Sequence, residues 1–523
     1  MPRRRSLLVG TFTVGMITAC AGGGPPVAVE QADRTAAPVD TTTNNNNTNT
    51  STESTSTTSS TLAVEVDDES ETSADEPSLS VGDPLFPELG SLDVDVVSYD
   101  LRLDVEPGAP TVSGEVDVTV TLRPGLTVLP LDAVGLDIDR VAIDEVVTTS
   151  TSTESELLID LPASVDASSG GPTTVTASID YTFRTGGRTS AVGLPSGWIT
   201  SPAGSYVLNE PDGARTWLPS NDHPSDKATW RFEVVVPEGV VVSANGELVE
   251  RPDAASSGAW VWVADDPMPT YLVQMIVGDY EIVESPPATS VDGSEIPLTH
   301  VVPSGDRASF DAAIDGIDEQ LRFFEELFGP YPLDRYGLAF VTDLSGLAME
   351  THGRSMFGAG DFDSGRVGFL QELLLAHELA HQWFGNAVSP QAWDDIWLNE
   401  AFTTYAQWLW LDHVDLQPLD VHARAMLDLR QRTTESTGEP TVENMFGFER
   451  YDGGATVVHA LRLTIGDDRF FEVLRRWVSD FGGTSQSTES LIGLVEAVAD
   501  EDLDEFFDDW LYAGALPDSY PAS

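Results

Sequence analysis

The stretch His377-Glu378-Leu379-Ala380-His381, followed by Trp397-Leu398-Asn399-Glu400, is the part of this sequence that decides its interpretation. Residues 371–384 have the apolar spacing of a helix, in which a four-residue interval puts both imidazoles on one face, about 5–6 Å apart. At that separation the two histidines can share a metal ion. Glu378 is expected to point into the same cleft.

Glu400 would supply a third ligand. A second predicted helix covers residues 395–410, with Asp394 or Asp395 as its N-cap, so Glu400 lies near the start of a rigid element. Two histidines and one glutamate leave one zinc position for water, which is typical of catalytic rather than structural sites. The alternative, two ordinary polar histidines on an amphipathic helix, does not account for Glu400 at the required place. The leading hypothesis is a hydrolase with one zinc ion and Glu378 as base.

Several segments resemble one family. The stretches HELAHQWFGN and WLNEAF are similar to those of the gluzincin aminopeptidases typified by aminopeptidase N. The resemblance covers roughly residues 93–515, with the motifs in the family's order. Its other segments are residues 210–230, residues 267–280, residues 347–351, which resemble the exopeptidase motif, and residues 451–454.

The resemblance implies a role for each matched residue. His377, His381 and Glu400 would bind the zinc, which polarises the scissile carbonyl, while Glu378 takes a proton from the attacking water and delivers it to the leaving amine. The remaining matches would recognise the substrate. Tyr451 would donate a hydrogen bond to the oxyanion, and Glu210 and Glu350 would bind the free amino group. Without the family match, Tyr451 could equally be a core tyrosine beside the Gly453-Gly454 turn.

The sequence departs from the family pattern at a few points. Thr351 stands where the exopeptidase motif has asparagine, which weakens the exopeptidase inference, and Ser220 stands where a cysteine is usual, which we expect to affect only packing. Larger members continue into a further β domain and a long helical domain. We therefore expect a more open site with looser selectivity here.

Composition excludes some classes of partner. The 523 residues carry a formal net charge of −60, and Lys227 is the only lysine. Such an excess of acid argues against nucleic acid or an anionic membrane surface as an electrostatic partner. It is typical of a strongly hydrated, soluble surface.

The first 91 residues are predicted to lie outside the folded enzyme. Residues 1–20 are predicted to be a lipoprotein signal peptide. They contain a basic start, Arg3-Arg4-Arg5, then an apolar run from residue 7 to 17 and the lipobox-like Ile17-Thr18-Ala19-Cys20. Cys20 would carry a lipid that anchors the protein at the extracytoplasmic face of a bacterial cell membrane. The basic start of the chain fits export by either the Sec or the twin-arginine route. An ordinary cleaved signal with an incidental cysteine is the alternative. Residues 21–91 are acidic and rich in Ser, Thr and Asn, which predicts a disordered tether.

The rest of the chain predicts a multidomain α+β protein. Alternation of apolar and polar residues predicts strands at residues 94–103, 114–122, 230–236, 260–263 and 271–277, and an all-β sandwich domain over residues 92–286. Helical periodicity then predicts a mainly helical domain over residues 287–516, and the family resemblance implies that it is a thermolysin-like zinc catalytic domain. Its predicted helices cover residues 310–327, 371–384, 395–410, 418–433, 455–463, 470–481 and 487–499, with a short strand at 336–341. Five tryptophans of this domain fit core packing better than substrate stacking: Trp383, Trp393, Trp397, Trp408 and Trp410.

Three functions remain open from the residues. The first is a zinc aminopeptidase that acts on peptides with a free N-terminus. The second is a zinc hydrolase of other specificity, an endopeptidase or an epoxide hydrolase. The third is a non-catalytic peptide-binding lipoprotein, which would have no need for Glu378. Dependence of cleavage on a free amine separates the first two, and hydrolysis with bound metal separates both from the third.

Overall fold

Strands occupy the first half of the folded chain, as the alternating sequence predicts. The computed structural model describes residues 77–522, apart from 166–170, 254–256, 345 and 363. The predicted signal peptide, Cys20 and most of the predicted tether lie outside the described residues. The strands of this half are β1 Val94–Asp104, β2 Thr111–Leu122, β3 Val128–Asp132, β4 Asp137–Ile143, β5 Val146–Val147, β6 Ser150–Ser152, β7 Glu156–Asp160, β8 Thr173–Arg184, β9 Arg188–Thr189, β10 Pro195–Ser201, β11 Gly204–Leu208, β12 Ala228–Val236, β13 Val241–Ala244, β14 Glu247–Glu250, β15 Gly258–Met268 and β16 Met275–Gly278.

These strands form three sheets around one core. The largest has the order β14-β15-β12-β1-β2-β8-β4-β5, a second has β13-β16-β11-β10-β9, and a third has β3-β7-β6. Buried side chains alternate with partly or fully exposed ones along β2, and with partly exposed ones along β12, because successive residues of a strand face opposite sides. The predicted β domain is thereby confirmed. One predicted strand is partly wrong, since Thr270–Leu272 form a 3-10 turn and only Met275–Gly278 extend into a strand.

Residues 77–91 pack against this domain instead of belonging to the tether. Phe86 and Leu89 are buried in the core of the sheets. The carboxylate of Asp83 lies 3.0 Å from Nε2 of His223 and accepts a 2.7 Å hydrogen bond from the amide of Trp393. The folded chain therefore begins before the predicted boundary at residue 92, because a few apolar side chains suffice to dock a short segment.

The second half builds a sheet covered by helices. Its strands are β17 Tyr280–Thr289, β18 Glu295–Pro303, β19 Leu338–Val341, β20 Ala348–Met349 and β21 Ser355–Gly358, in the order β17-β18-β19-β21-β20, with β22 Val388–Pro390 and β23 Thr484–Gln486 forming a separate pair. The predicted boundary at residue 286 falls inside β17. The helices are α1 Asp311–Phe328, α2 Phe369–Ala380, α3 Trp397–His413, α4 Leu419–Arg430, α5 Asp452–Ile465, α6 Asp467–Phe481, α7 Thr488–Ala499 and α8 Asp504–Phe507, followed by a π turn at Asp508–Tyr512.

The predicted helices all occur, with ends that differ by a few residues. The predicted N-cap of α3 is wrong. The carboxylate of Asp395 accepts from the amide and hydroxyl of Thr488, and α3 begins after Ile396 without a side-chain cap. A preceding 3-10 turn, Trp393–Asp395, makes the local cap unnecessary.

The tryptophans of the second half lie in the core, as expected. Each has at most 3% of its surface exposed: Trp383, Trp393, Trp397, Trp408 and Trp410. Among the described helices, none has the length together with the apolar character that crossing a bilayer requires.

Candidate metal centre and substrate cleft

Two packed helices bring the predicted metal ligands together. Leucines of α2 anchor it in the core, so His377 and His381, at its end, turn towards α3. Nε2 of His377 lies 3.2 Å from Oε2 of Glu400, and Nε2 of His381 lies 3.6 Å from the same oxygen. All three side chains are buried.

The arrangement fits a zinc ion. One atom from each of His377, His381 and Glu400 lies within 4.8 Å of the others. Nδ1 of His381 is 3.1 Å from the carbonyl of Phe384, which can only accept, so this nitrogen carries the proton and Nε2 is available as a ligand. A donor set of two imidazoles and a carboxylate is that of catalytic zinc sites.

The electrostatics of the site favour a cation. Burial raises the pKa of Glu400, but His381 and His377 outweigh it and lower that pKa to about 2, so the ligand is a carboxylate. Burial lowers the pKa of His381, yet the carboxylates of Glu350 and Glu400 raise it to about 10. The carboxylates around His381 therefore stabilise a positive charge at this place, which a zinc ion held at Nε2 would supply.

Glu378 and Tyr451 lie beside the ligands. Glu378 sits between the two histidines on α2, and its carboxylate is within 4.8 Å of ligand atoms of Glu350 and His381. The Tyr451 ring stacks on His377 with the ring centroids 5.8 Å apart. Tyr451 immediately precedes α5. This helix can approach α3 closely because Gly454 has no side chain, since a Cβ there would lie 2.6 Å from Cβ of Ala401.

Glu350 and Glu210 come from separate segments. Glu350 follows β20, and Glu210 follows β11. Among the described residues, Oε1 of each carboxylate has no hydrogen-bond partner although it is buried. Burial and the neighbouring Glu350 raise the pKa of Glu210, and burial likewise raises the pKa of Glu350. Two buried acceptors without donors point to a ligand that brings its own hydrogens.

All predicted catalytic, amine-binding and metal-binding residues line one cleft. Apolar residues form the rest of its wall: Leu194, Pro195, Leu208, Leu347, Ala348, Met349 and Phe446. The two residues that differ from the family pattern, Thr351 and Ser220, do not disturb this cleft. The hydroxyl of Thr351 donates to the carbonyl of Arg354 and accepts from Gln274, so it is engaged inside the protein. Ser220 is buried and exchanges main-chain hydrogen bonds with Asp132.

Sequence reasoning missed the residues that support this cleft. Gln382 and Asn386 both donate to the carbonyl of Glu350, at 3.3 and 2.7 Å. The Tyr271 hydroxyl donates to the carbonyl of Gly385 and lies 3.3 Å from the amide of Asn399. Gln382, Gly385 and Asn386 belong to the HELAHQWFGN stretch itself. The polar side chains of Gln382 and Asn386, close after the second histidine, were therefore an available sign of a supporting role.

Comparison with known proteins gives the same picture. Residues 96–272 match the peptidase M1 N-terminal domain, and residues 312–510 match the peptidase family M1 domain. Rice aminopeptidase M1-D is 26% identical over 322 residues, which are 58% of this chain and 36% of that protein. The leucyl aminopeptidase of Saccharolobus solfataricus is 26% identical over 340 residues, 60% of this chain and 42% of that protein. The chain thus spans well under half the length of these curated relatives.

Solved structures match over a larger share. The M1 zinc metallopeptidase of Deinococcus radiodurans has a TM-score of 0.76 and 30% identity, covering 85% of this chain and 100% of that one. A mutant of that enzyme bound to a Tyr-Ser-Ala substrate matches with a TM-score of 0.75 and 30% identity, over 84% of this chain and 99% of that one. From these matches and the geometry of the cleft, the chain belongs to the peptidase M1 family.

Proposed function

We propose that this protein is a zinc aminopeptidase that removes the N-terminal residue from peptides. The observation that carries the proposal is the pair of buried carboxylates, Glu210 and Glu350, whose Oε1 atoms lack partners in the described part of the chain. They lie in the same cleft as the metal ligands. A substrate ammonium group supplies the donors that these oxygens lack, and its charge favours their ionised forms.

The relatives support this proposal. Matched structures are zinc metallopeptidases, one of them bound to a Tyr-Ser-Ala substrate, and matched sequences carry the name aminopeptidase. One zinc ion held by His377, His381 and Glu400 is the cofactor that this donor set fits. When bound, zinc polarises the scissile carbonyl and makes the attacking water more acidic.

The proton transfers fall to Glu378. Its carboxylate lies beside His381 and Glu350, at the boundary between the metal centre and the amine site. From there it can accept the proton of the attacking water and pass it to the leaving amine. A base at this place acts on the first peptide bond when the substrate ammonium is fixed by Glu350 and Glu210.

Tyr451 is the proposed donor to the oxyanion. Its ring lies against His377 on the side of the cleft formed by the start of α5. A phenolic hydrogen held there can bond to the carbonyl oxygen as negative charge develops on it. The contribution is largest in the transition state, because the charge is absent from the bound substrate.

A time course of peptide digestion tests the proposal. The purified protein with one equivalent of zinc is incubated with a peptide of about ten residues, and the products are identified by mass spectrometry. We expect a ladder in which residues are lost singly from the N-terminus. Internal fragments as first products would instead establish an endopeptidase.

We also propose that Cys20 carries a lipid that holds the enzyme at the extracytoplasmic face of the cell membrane. The support is the sequence Ile17-Thr18-Ala19-Cys20 after a short apolar run, and this segment lies outside the described residues.

A further inference from the structure

The only lysine of the chain reaches from the β domain to the loop that follows the metal-binding histidines. Lys227 directly precedes β12, which lies within the largest sheet, so its backbone is fixed by that sheet. Its Nζ donates to the main-chain carbonyls of Asn386 and Ala387, at 3.0 Å each. Burial lowers the pKa of Lys227 to about 7. Either protonation state of the amine has enough hydrogens for both bonds.

The two carbonyls belong to the loop that follows the metal helix. The amide of Asn386 donates to the carbonyl of His381, and the amide of Ala387 donates to that of Gln382. The Asn386 side chain donates onwards to the carbonyl of Glu350 at 2.7 Å and to Oε1 of Gln382 at 3.1 Å. A continuous set of hydrogen bonds therefore runs from Lys227 through Asn386 to Glu350.

We propose that Lys227 is a positioning residue for amine recognition, which fixes Glu350 relative to the zinc ligands by holding the main chain of Asn386 and Ala387. This inference rests on the proposed aminopeptidase function. Lys227 does not touch the substrate in this proposal. Without the two hydrogen bonds from Lys227 the loop relaxes and Asn386 shifts. The hydrogen bond from the Asn386 side chain to the carbonyl of Glu350 is then lost.

The test compares two inhibitors that differ only in the amine. Leucine hydroxamate offers both an amine and a zinc-binding group, whereas its des-amino counterpart, 4-methylpentanoyl hydroxamate, offers only the second. The dissociation constant of the des-amino compound divided by that of leucine hydroxamate reports amine recognition alone. Both constants are measured by calorimetry on the zinc-loaded protein. In Lys227→Met we expect leucine hydroxamate to bind about 10-fold more weakly, with the des-amino compound unchanged within about twofold.

Matched variants separate positioning from general stability. Arg475→Met removes another cation that donates to a main-chain carbonyl, that of Leu327, and should leave the ratio unchanged. Because Lys227 acts through Glu350, adding Lys227→Met to Glu350→Gln should lower the ratio little further. Equal weakening of both inhibitors in Lys227→Met, or no weakening, would overturn the proposal. A wild-type ratio near one would instead refute the proposed amine site.

A second measurement remains if Lys227→Met fails to fold. The chain contains a single lysine, so protein labelled with ¹³Cε-lysine gives one side-chain signal in a nuclear magnetic resonance spectrum. Leucine hydroxamate should displace this signal more than the des-amino compound does, since only the former engages Glu350. Equal displacement by both compounds, or none by either, would contradict the coupling.

Discussion

The side-chain amide of Asn386 donates a 2.7 Å hydrogen bond to the main-chain carbonyl of Glu350. This bond joins the loop after the metal helix to the segment that carries a proposed amine-binding carboxylate. The segment of Glu350 is thereby tied directly to the stretch of chain that follows His377 and His381. Such rigidity is what places a substrate's first peptide bond at a fixed distance from the catalytic groups.

Replacing the proposed base separates catalysis from metal binding. In Glu378→Gln we expect turnover to fall by about 10²–10⁴-fold while the zinc content stays near one per chain, because Glu378 is proposed to move protons and not to bind the metal. His377→Ala should instead lower the zinc content. Metal analysis beside the rate assay checks both variants. Near-wild-type turnover by zinc-loaded Glu378→Gln would refute the assigned base.

The hydroxyl of Tyr451 should act on the transition state. We expect Tyr451→Phe to lower kcat by about 10²–10³-fold with little change in KM, because the oxyanion exists only during reaction. The Phe ring keeps the stacking on His377, so the melting temperature should stay close to that of the wild type. An unchanged kcat would make Tyr451 a packing residue only.

Removal of Glu350 should affect both binding and rate. In Glu350→Ala we expect KM to rise and kcat to fall, each by about 10-fold, because the proposed ion pair with the substrate ammonium would also orient the scissile carbonyl. Glu210→Ala should act in the same direction, since Glu210 faces the same cleft. Steady-state kinetics on an aminoacyl amide measures both. If KM alone rose in Glu350→Ala, the residue would contribute binding without orientation.

Buried acid in the β domain predicts how stability depends on pH. Glu156 lies opposite Asp132 in the β3–β7 pair, and burial, partly offset by Arg215, raises its pKa from 4.5 to about 7. Because the folded-state pKa is raised, the stability that protonated Glu156 contributes is fully present below pH 4.5. This contribution is lost as the pH rises through 7, where the buried carboxyl must ionise. Glu156→Gln should therefore be more stable than the wild type at pH 8, by about 1–2 kcal/mol after allowance for solvent screening, and no more stable at pH 4. Urea unfolding at both pH values measures this, and parallel pH profiles of the two proteins would contradict it.

The lipid anchor can be examined in cells. Cys20→Ser removes the only cysteine, so we expect it to abolish incorporation of labelled fatty acid and to release the enzyme from the membrane fraction. Gel autoradiography and fractionation measure these effects. Release of wild type and variant to the same extent would refute lipidation at this residue.

The sequence predicted the elements of this molecule better than their ends. Helices α2 and α3 were predictable because the apolar period and the metal motif coincide on the same residues. The cap of α3 was not, because Asp395 is recruited by Thr488, which is 93 residues further along the chain. The docking of residues 77–91 was also missed. It depends on Asp83 reaching His223 and Trp393, which no local pattern reveals.

The candidate site likewise contains residues that could be predicted from the sequence and contacts that could not. Its ligands and proposed base follow from residue type and spacing, because zinc chemistry requires those groups at those intervals. The supporting bonds of Asn386, Gln382 and Lys227 are made mostly to main-chain carbonyls. A main-chain acceptor leaves no trace in side-chain identity, so the sequence can mark these residues as polar but does not show which groups they bond to.

The most direct test of the central claim is the ratio of kcat/KM for one aminoacyl fluorogenic amide and its N-acetylated counterpart, measured on the zinc-loaded wild type. The acetyl group removes the charge that Glu210 and Glu350 would pair with and leaves the reacting bond unchanged. We predict that the free amine is hydrolysed at least about 10²-fold more efficiently. Comparable values for the two substrates would contradict the account, because the cleft would then bind peptides without recognising their N-terminus.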